Sequence, residues 1–164
     1  MTVPTKLRLD DQLCFSLYAA SNAIIRSYRP LLAEIGLTYP QYLLMLVLWQ
    51  DGERTVRELA DRLKLSPSAV TPLVDRLEIA GLVRRQRDEQ DRRVVHVGLT
   101  DQGSAVESEA AAVQYRVACD TGLGDGGITE MRESLHALAD RLETTTANGA
   151  RPAPVAHRRT DAVN

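Results

Sequence analysis

The stretch Thr55 to Ala80, TVRELADRLKLSPSAVTPLVDRLEIA, restricts the fold more than any other part of the chain. Leu59, Ala60 and Leu63 recur at spacings of three and four, and so do Ala69, Val70, Leu73, Val74 and Leu77. Each set makes one apolar helical face. Between them lies a tight joint at Lys64-Leu65-Ser66. Ser66 is a good N-cap, and Pro67 takes the first helical position, where a missing N–H costs nothing. Two amphipathic helices joined this closely must cross steeply, which describes a helix-turn-helix whose second helix can enter a major groove. The plainer alternative is an ordinary helical pair in a core, and the residues that follow decide between the two.

Gly81 stops the second helix. Leu82-Val83-Arg84-Arg85 has strand character, DEQDRR is a polar turn, and Arg93 to Leu99 is rich in β-branched residues and reads as a return strand. A helix-turn-helix followed by a hairpin with a charged tip is a winged helix. The fold class expected is therefore mainly α: a winged helix-turn-helix with long N- and C-terminal dimerisation helices.

Upstream, residues 1–9 look loose. Asp10 or Asp11 can cap a helix that begins near Gln12 and runs to about Tyr28 or Arg29, with Pro30 as a kink or break and Gly36 as a C-cap. Thr38 and Gln41 form a capping box ahead of a helix over about 40–50. Its sequence YPQYLLMLVLWQ is apolar almost all round, so both faces should be buried. Thr55 and Glu58 form a second box. Downstream, a continuous helix is expected from about Asp101 to Asp120. Gly122, Gly124, Gly126 and Gly127 break it, and another helix runs from about Thr129 to Thr145 with Met131, Leu135, Leu138 and Leu142 on one stripe. These boundaries give a domain over 7–147, its winged part over about 38–100 and dimerisation helices over about 10–30 and 101–146. A disordered tail is expected over 148–164. The end helices would leave apolar stripes exposed in a monomer. Pairing them across a two-fold axis buries the stripes and sets two recognition helices about one DNA turn apart, which suits a palindromic duplex operator.

Apolar residues make up 44 % of the chain, enough for a core, and the formal net charge is −2. Arg54 through Arg93 hold ten Lys/Arg against seven Asp/Glu, so a basic module sits in an acidic body. Phosphate contacts depend on that local charge. No apolar run reaches transmembrane length, no membrane association is expected, and MTVPTKLRLDDQLC does not read as a signal peptide. The cytoplasm is the expected compartment. Two cysteines there are not a disulfide framework by default, and without a C-x-x-C pair they suggest no metal. No cofactor is implied.

Ser66, Ser68, Thr71, Pro72 and Arg76 on the second helix are candidates for DNA contact, through hydroxyls near the helix start and a proline that could meet a thymine methyl. At the hairpin, Arg93 is the first choice for a minor groove, with Asp91 orienting a guanidinium. Arg84, Arg85 and Arg87 read as phosphate contacts. A solvated surface role is the alternative for each. Cys14 falls one turn into the first helix, near its positive end, where partial charges favour an ionised sulfur. Tyr18, Tyr28, Tyr39 and Tyr42 all lie in the first third of the chain, and a phenol donating to sulfur would stabilise it further. A small buried hydrophobe beside aromatic packing is the other reading of Cys14.

The block TVRELADRLKLSPSAVTPLVDRLEIAGLVRRQRDEQDRRVVHVGLTDQG resembles the MarR family, through the D-x-R of Asp91 and Arg93 and the LTDQG at 99–103. Residues 7–49, LRLDDQLCFSLYAASNAIIRSYRPLLAEIGLTYPQYLLMLVLW, are similar to its organic hydroperoxide resistance regulators, the OhrR type. The resemblance covers roughly residues 7–145. It implies that Cys14 senses peroxide, that Tyr28 and Tyr39 hydrogen-bond the sensing sulfur across a homodimer, and that Tyr18 is a nearby aromatic. Members of the group bind their operator when reduced and leave it after oxidation by organic hydroperoxides. Often they control a thiol peroxidase gene. Some members carry a second, resolving cysteine in the helix after the wing. Cys119 matches that position, which implies a two-cysteine type with a disulfide from Cys14 of one subunit to Cys119 of the other. Leu13, Phe15, Leu17, Tyr39 and Leu43 are candidates for the wall of an apolar interface pocket. Three rival readings are a MarR-type repressor released by an aromatic ligand, a cysteine-dependent thiol peroxidase, and a winged-helix module without a DNA role.

Overall fold

The computed structural model describes residues 6–92 and 94–147. Arg93 and the expected tail over 148–164 lie outside the described residues. The elements in order are α1 (Leu13–Glu34), α2 (Tyr39–Asp51), β1 (Arg54–Thr55), α3 (Val56–Leu63), α4 (Pro67–Ile79), β2 (Val83–Arg87), β3 (Val95–Leu99), α5 (Asp101–Ala105), α6 (Glu107–Asp120) and α7 (Asp125–Ala147). A single 3₁₀ turn, Leu9–Asp11, precedes α1. The chain forms two compact units, one ending at Thr121 and the next beginning at Gly122. The class read from the sequence, a mainly α winged helix-turn-helix with long terminal helices, is the class observed.

Burial of α2 on all sides follows from its composition. Tyr42, Leu44, Met45, Val47 and Leu48 are all core residues of one cluster with Leu59, Ala60, Val70, Val74 and Leu77 from the helix pair. Thr38 starts α2 as expected: its N–H and its hydroxyl both donate to Gln41 Oε1 at 2.8 Å. The Thr55 box is complete as well. Thr55 N–H and hydroxyl donate to Glu58 Oε2 at 2.7 Å, and Glu58 N–H returns a bond to Thr55 Oγ1 at 3.2 Å. The carboxyl of Glu58 is held below its ordinary value chiefly by the Thr55 backbone bond. Between α3 and α4, Lys64 adopts a left-handed conformation (φ 56°) and turns the chain back on itself. Ser66 takes the N-cap position, but its hydroxyl meets the Ser68 hydroxyl at 2.9 Å rather than a backbone N–H. On the apolar face Val70, Val74 and Leu77 are fully buried, whereas Ala69, assigned to that face from spacing, is exposed.

The other differences from expectation have local causes. Neither Asp10 nor Asp11 caps α1; they belong to the 3₁₀ turn, and Gln12 is the N-cap. Helix α1 does not stop before Pro30 but continues to Glu34. Pro30 and Arg26 are exposed, so the Arg26 carbonyl that loses its bond can turn to water. The helix is anchored beyond the proline instead. Leu37 N–H bonds Leu32 O at 2.9 Å, Gly36 N–H bonds Ala33 O at 3.2 Å, and both leucines are buried. The expected helix over 101–120 is two helices, with Val106 (φ −70°, ψ −15°) as the joint. Gly126 and Gly127 lie inside α7, which starts four residues earlier than Thr129.

Strands β2 and β3 pair antiparallel over Val83–Arg87 and Val95–Leu99. The sequence did not signal the third strand. Arg54 and Thr55 pair with Val97 and His96, making a sheet of order β1-β3-β2. The wing is thus tied to the start of α3. It is tied to α5 as well: Thr100 N–H donates to Leu82 O at 3.1 Å and Thr100 Oγ1 to Gly81 O at 2.6 Å. Trp49 Nε1 donates to Gly103 O at 3.0 Å, joining α2 to the same place. Among the described residues no single helix is long and apolar enough to cross a membrane.

A Cβ at Gly103 would stand 1.9 Å from the Leu82 carbonyl oxygen. Gly103→Ala should therefore cost about 1–3 kcal/mol or more, through displacement of backbone from backbone. Urea denaturation of the two proteins measures this, and an unchanged midpoint would contradict it.

Candidate DNA interface and thiol sites

Helix α4 divides cleanly. With Val70, Val74 and Leu77 turned into the core, Ser68, Thr71, Pro72, Asp75, Arg76 and Ile79 recur along the exposed face. Four of the five residues expected to read DNA from this helix, Ser68, Thr71, Pro72 and Arg76, share that face. The fifth, Ser66, is exposed at its cap. Thr71 Oγ1 donates to Pro67 O at 2.9 Å, so its hydrogen is committed and its lone pairs are what it offers outward.

On the wing, Arg84 and Arg87 are exposed. Arg85, whose place in the run suggested a phosphate contact, is half-buried. Its guanidinium bridges back to α4, with Nη2 at 2.5 Å from Asp75 Oδ1 and Nη1 at 2.7 Å from Glu78 Oε2. The hairpin tip is organised by Asp88, which the sequence places in the polar turn without a role of its own. Asp88 Oδ1 accepts from the N–H groups of Gln90 and Asp91, both at 2.8 Å, and Asp88 N–H donates to Val94 O at 3.0 Å. Those two backbone donors, Asp91 first, hold the Asp88 carboxyl below its ordinary value. An Asp followed two residues later by polar turn residues was the available signal. His96 of β3 lies between carboxylates, Nε2 at 3.4 Å from Asp88 Oδ2 and Nδ1 at 3.9 Å from Glu53 Oε1. Asp91 is half-buried. Its proposed partner Arg93 is outside the described residues.

Cys14 is exposed in the first turn of α1, and Cys119 is exposed near the end of α6. Tyr18, one turn beyond Cys14 on the same face, is 68 % exposed. Tyr28 and Tyr39 are elsewhere. Their ring centroids are 5.3 Å apart, and Tyr42, buried and named from the sequence with the other early tyrosines though given no role, completes a cluster at 5.4 Å from Tyr28 and 6.2 Å from Tyr39. Burial raises all three phenols above their ordinary value, and hydrogen bonding between Tyr28 and Tyr42 adds to the rise at Tyr42. Cys14 and Tyr28 are both on α1, fourteen residues apart. At the rise of an α-helix that is about 21 Å. Tyr28 cannot bond the sulfur of its own chain.

Of the residues suggested for an interface pocket, Leu13 and Leu17 are exposed, while Phe15, Tyr39 and Leu43 are half-buried. A separate open cavity of about 160 Å³ lies between α2 and α6, against Tyr42, Leu46, Trp49, Gln50, Glu107 and Gln114, and contains none of those five. Among the described residues no group of three or more His, Cys, Asp or Glu could hold a metal ion.

Residues 37–95 match the MarR family model. The chain is 43 % identical over 150 residues to the HTH-type transcriptional regulator TtmR of Methylorubrum extorquens (strain PA1), covering 87 % of this chain and 77 % of that one. It is 36 % identical over 138 residues to the organic hydroperoxide resistance transcriptional regulator of Bacillus subtilis (strain 168), covering 84 % and 92 %. Among solved structures it is similar to reduced AbfR of Staphylococcus epidermidis bound to DNA, with a TM-score of 0.67 and 33 % identity over 82 % of this chain and 94 % of that one. Disulfide-formed AbfR matches with a TM-score of 0.57 and 32 % identity, over 85 % and 91 %.

The tyrosine cluster makes a pH prediction. A phenol raised by burial contributes stability that is fully present below its unfolded value, about 10, and is lost as the pH climbs through the folded value. A near-ultraviolet tyrosinate titration should show part of the signal delayed beyond the ordinary phenol range. A single step centred on about pH 10 would contradict the buried cluster.

Proposed function

This chain belongs to the MarR family of winged-helix transcriptional regulators, and from that premise we propose that it is an organic hydroperoxide sensor of the OhrR type. Family membership makes it a DNA-binding repressor and not an enzyme, which sets the peroxidase reading aside. The finer reading is supported by one observation above all. An exposed thiol on the first turn of α1 stands about 21 Å along the helix from Tyr28, so Tyr28 can serve such a thiol only across two chains. The likeness to the Bacillus subtilis hydroperoxide-resistance regulator supports it further.

In this mechanism the protein is a homodimer, and the uncovered apolar residues of α1 (Leu13, Leu17, Ile24) and of α7 (Met131, Leu135, Leu142) are covered by a second copy. The Cys14 thiolate attacks the distal oxygen of an organic hydroperoxide. The O–O bond breaks, the sulfur loses two electrons and becomes a sulfenic acid, and the alkoxide leaves and takes a proton to become an alcohol. Tyr28 and Tyr39 of one subunit donate to the sulfur of the other, with Tyr18 beside it. Phenols are neutral donors throughout the physiological range, and burial raises these two further. The Cys119 thiol of the partner then displaces hydroxide from the sulfenic acid. An S–S bond forms and water leaves. Because α6 follows the wing through α5, pulling Cys119 toward Cys14 shifts the spacing of the two recognition helices on the operator. On the reduced dimer, Ser66, Ser68, Thr71, Pro72 and Arg76 face the major groove, Arg84 meets phosphate, and Asp91 orients Arg93 in the minor groove.

A second reading is favoured by the cavity between α2 and α6. Tyr42 and Trp49 give it an aromatic floor, with Gln50, Glu107 and Gln114 at its rim, which suits an aromatic ligand that releases DNA without any cysteine.

Cys14→Ser separates the two. It should bind DNA as the wild type does and stay bound after cumene hydroperoxide, in a gel-shift assay. Release of C14S by the peroxide would sink the redox reading. Cys119→Ser should still be oxidised at Cys14 but should give no covalent dimer on a non-reducing gel. A covalent dimer in oxidised C119S would remove Cys119 from the resolving role.

A further inference from the structure

Helix α4 presents its exposed face to a polyanion, yet between Pro67 and Ile79 it carries Asp75 and Glu78 against a single cation, Arg76. Both carboxylates are partly exposed, at 50 % and 39 % of their side chains. Unmasked, they would repel phosphate. Arg85 answers both at once. One guanidinium nitrogen lies 2.5 Å from Asp75 Oδ1 and the other 2.7 Å from Glu78 Oε2. The backbone N–H of Arg85 also donates to Glu78 Oε1 at 3.1 Å, so Glu78 is gripped by main chain and side chain of the same residue. Its side chain is 27 % exposed, while Arg84, next along β2 and on the other face of the strand, is open to solvent.

The two ends of this clamp belong to the two parts that engage DNA. Asp75 and Glu78 are on the groove-reading helix, and Arg85 is on the first strand of the wing. A planar fork that bonds two carboxylates one helical turn apart fixes direction as well as distance, which a lysine would not do.

We propose that Arg85 is the positioning residue for DNA recognition. It sets the angle between α4 and the wing and cancels the two carboxylates of α4, without itself touching DNA. The inference rests on DNA binding by this family and does not depend on the redox reading.

The test uses the full-length reduced protein, a duplex that the wild type selects from a randomised library, and poly(dI-dC) as a non-specific probe, with affinities measured by anisotropy over a series of salt concentrations. Arg85→Ala and Arg85→Gln should weaken binding to the selected duplex by about tenfold or more, the loss exceeding that on poly(dI-dC). The slope of log affinity against log salt should stay as in the wild type, because no phosphate contact is lost. Arg85→Lys should recover part of the affinity. The triple variant D75N/E78Q/R85Q, with no carboxylate left to mask, should bind more tightly than R85Q alone. Should R85A fail to fold, R85K and the triple variant carry the comparison, since each keeps a hydrogen-bonding group at every position. A slope that falls by about one, with equal weakening on both probes and no gain in the triple variant, would make Arg85 an ordinary phosphate contact. Unchanged affinity in R85Q would leave it no part in recognition. Either result overturns the proposal.

Discussion

Three elements converge on the Gly81–Leu82 peptide, and the geometry of the DNA-reading half depends on that meeting. Gly81 (φ 74°) ends α4, with its N–H on Glu78 O at 2.9 Å and the Leu82 N–H on Leu77 O at 3.0 Å. The wing starts one residue later. When the chain returns from the wing, Thr100 bonds both carbonyls of this peptide pair, and α5 is pressed so closely on Leu82 that only a glycine fits at position 103. Helix end, strand start and the following helix therefore share one set of backbone groups. Moving any one of them strains the other two.

What could be read in advance was whatever a local pairing of side chain and backbone specifies. The boxes at Thr38–Gln41 and Thr55–Glu58, the turn residues Gly36 and Gly81, and the all-round apolar run of α2 each carry their reason in a few adjacent residues. Breakers were less informative than they looked. Pro30 sits within α1 because an exposed turn can give up a hydrogen bond to water and because packing at Leu32 and Leu37 holds the helix beyond it, whereas Gly126 and Gly127, in the first turn of α7, keep their N–H groups and cost the helix only backbone entropy. The joint at Val106 has no breaker to announce it. Strand β1 has only two residues and exists because β3 passes beside it, a cause that no local pattern contains.

The same division runs through the sites. The exposed face of α4 follows from helical spacing, so Ser68, Thr71, Pro72 and Arg76 could be named before the fold was seen. The roles of Arg85 and Asp88 could not, because each is decided by partners brought near by the hairpin. A run such as VRRQRDEQDRR looks uniformly charged. In the folded chain its residues part ways: Arg84 faces out, Arg85 is spent on α4, and Asp88 caps the turn. Charge counted along the chain did not distinguish the arginine paired with the carboxylates of α4 from its exposed neighbours.

The distance along α1 has a further meaning for the life of the molecule. If Tyr28 of this chain serves a sulfur, it is one that arrived on another chain. A newly made subunit would then be blind to oxidant until it has found its mate, and dilution would dull the response before it loosened the fold. Sensitivity would be a property of the assembled pair, set by how many copies the cell keeps, and the threshold for alarm would rise and fall with the supply of the sentinel itself.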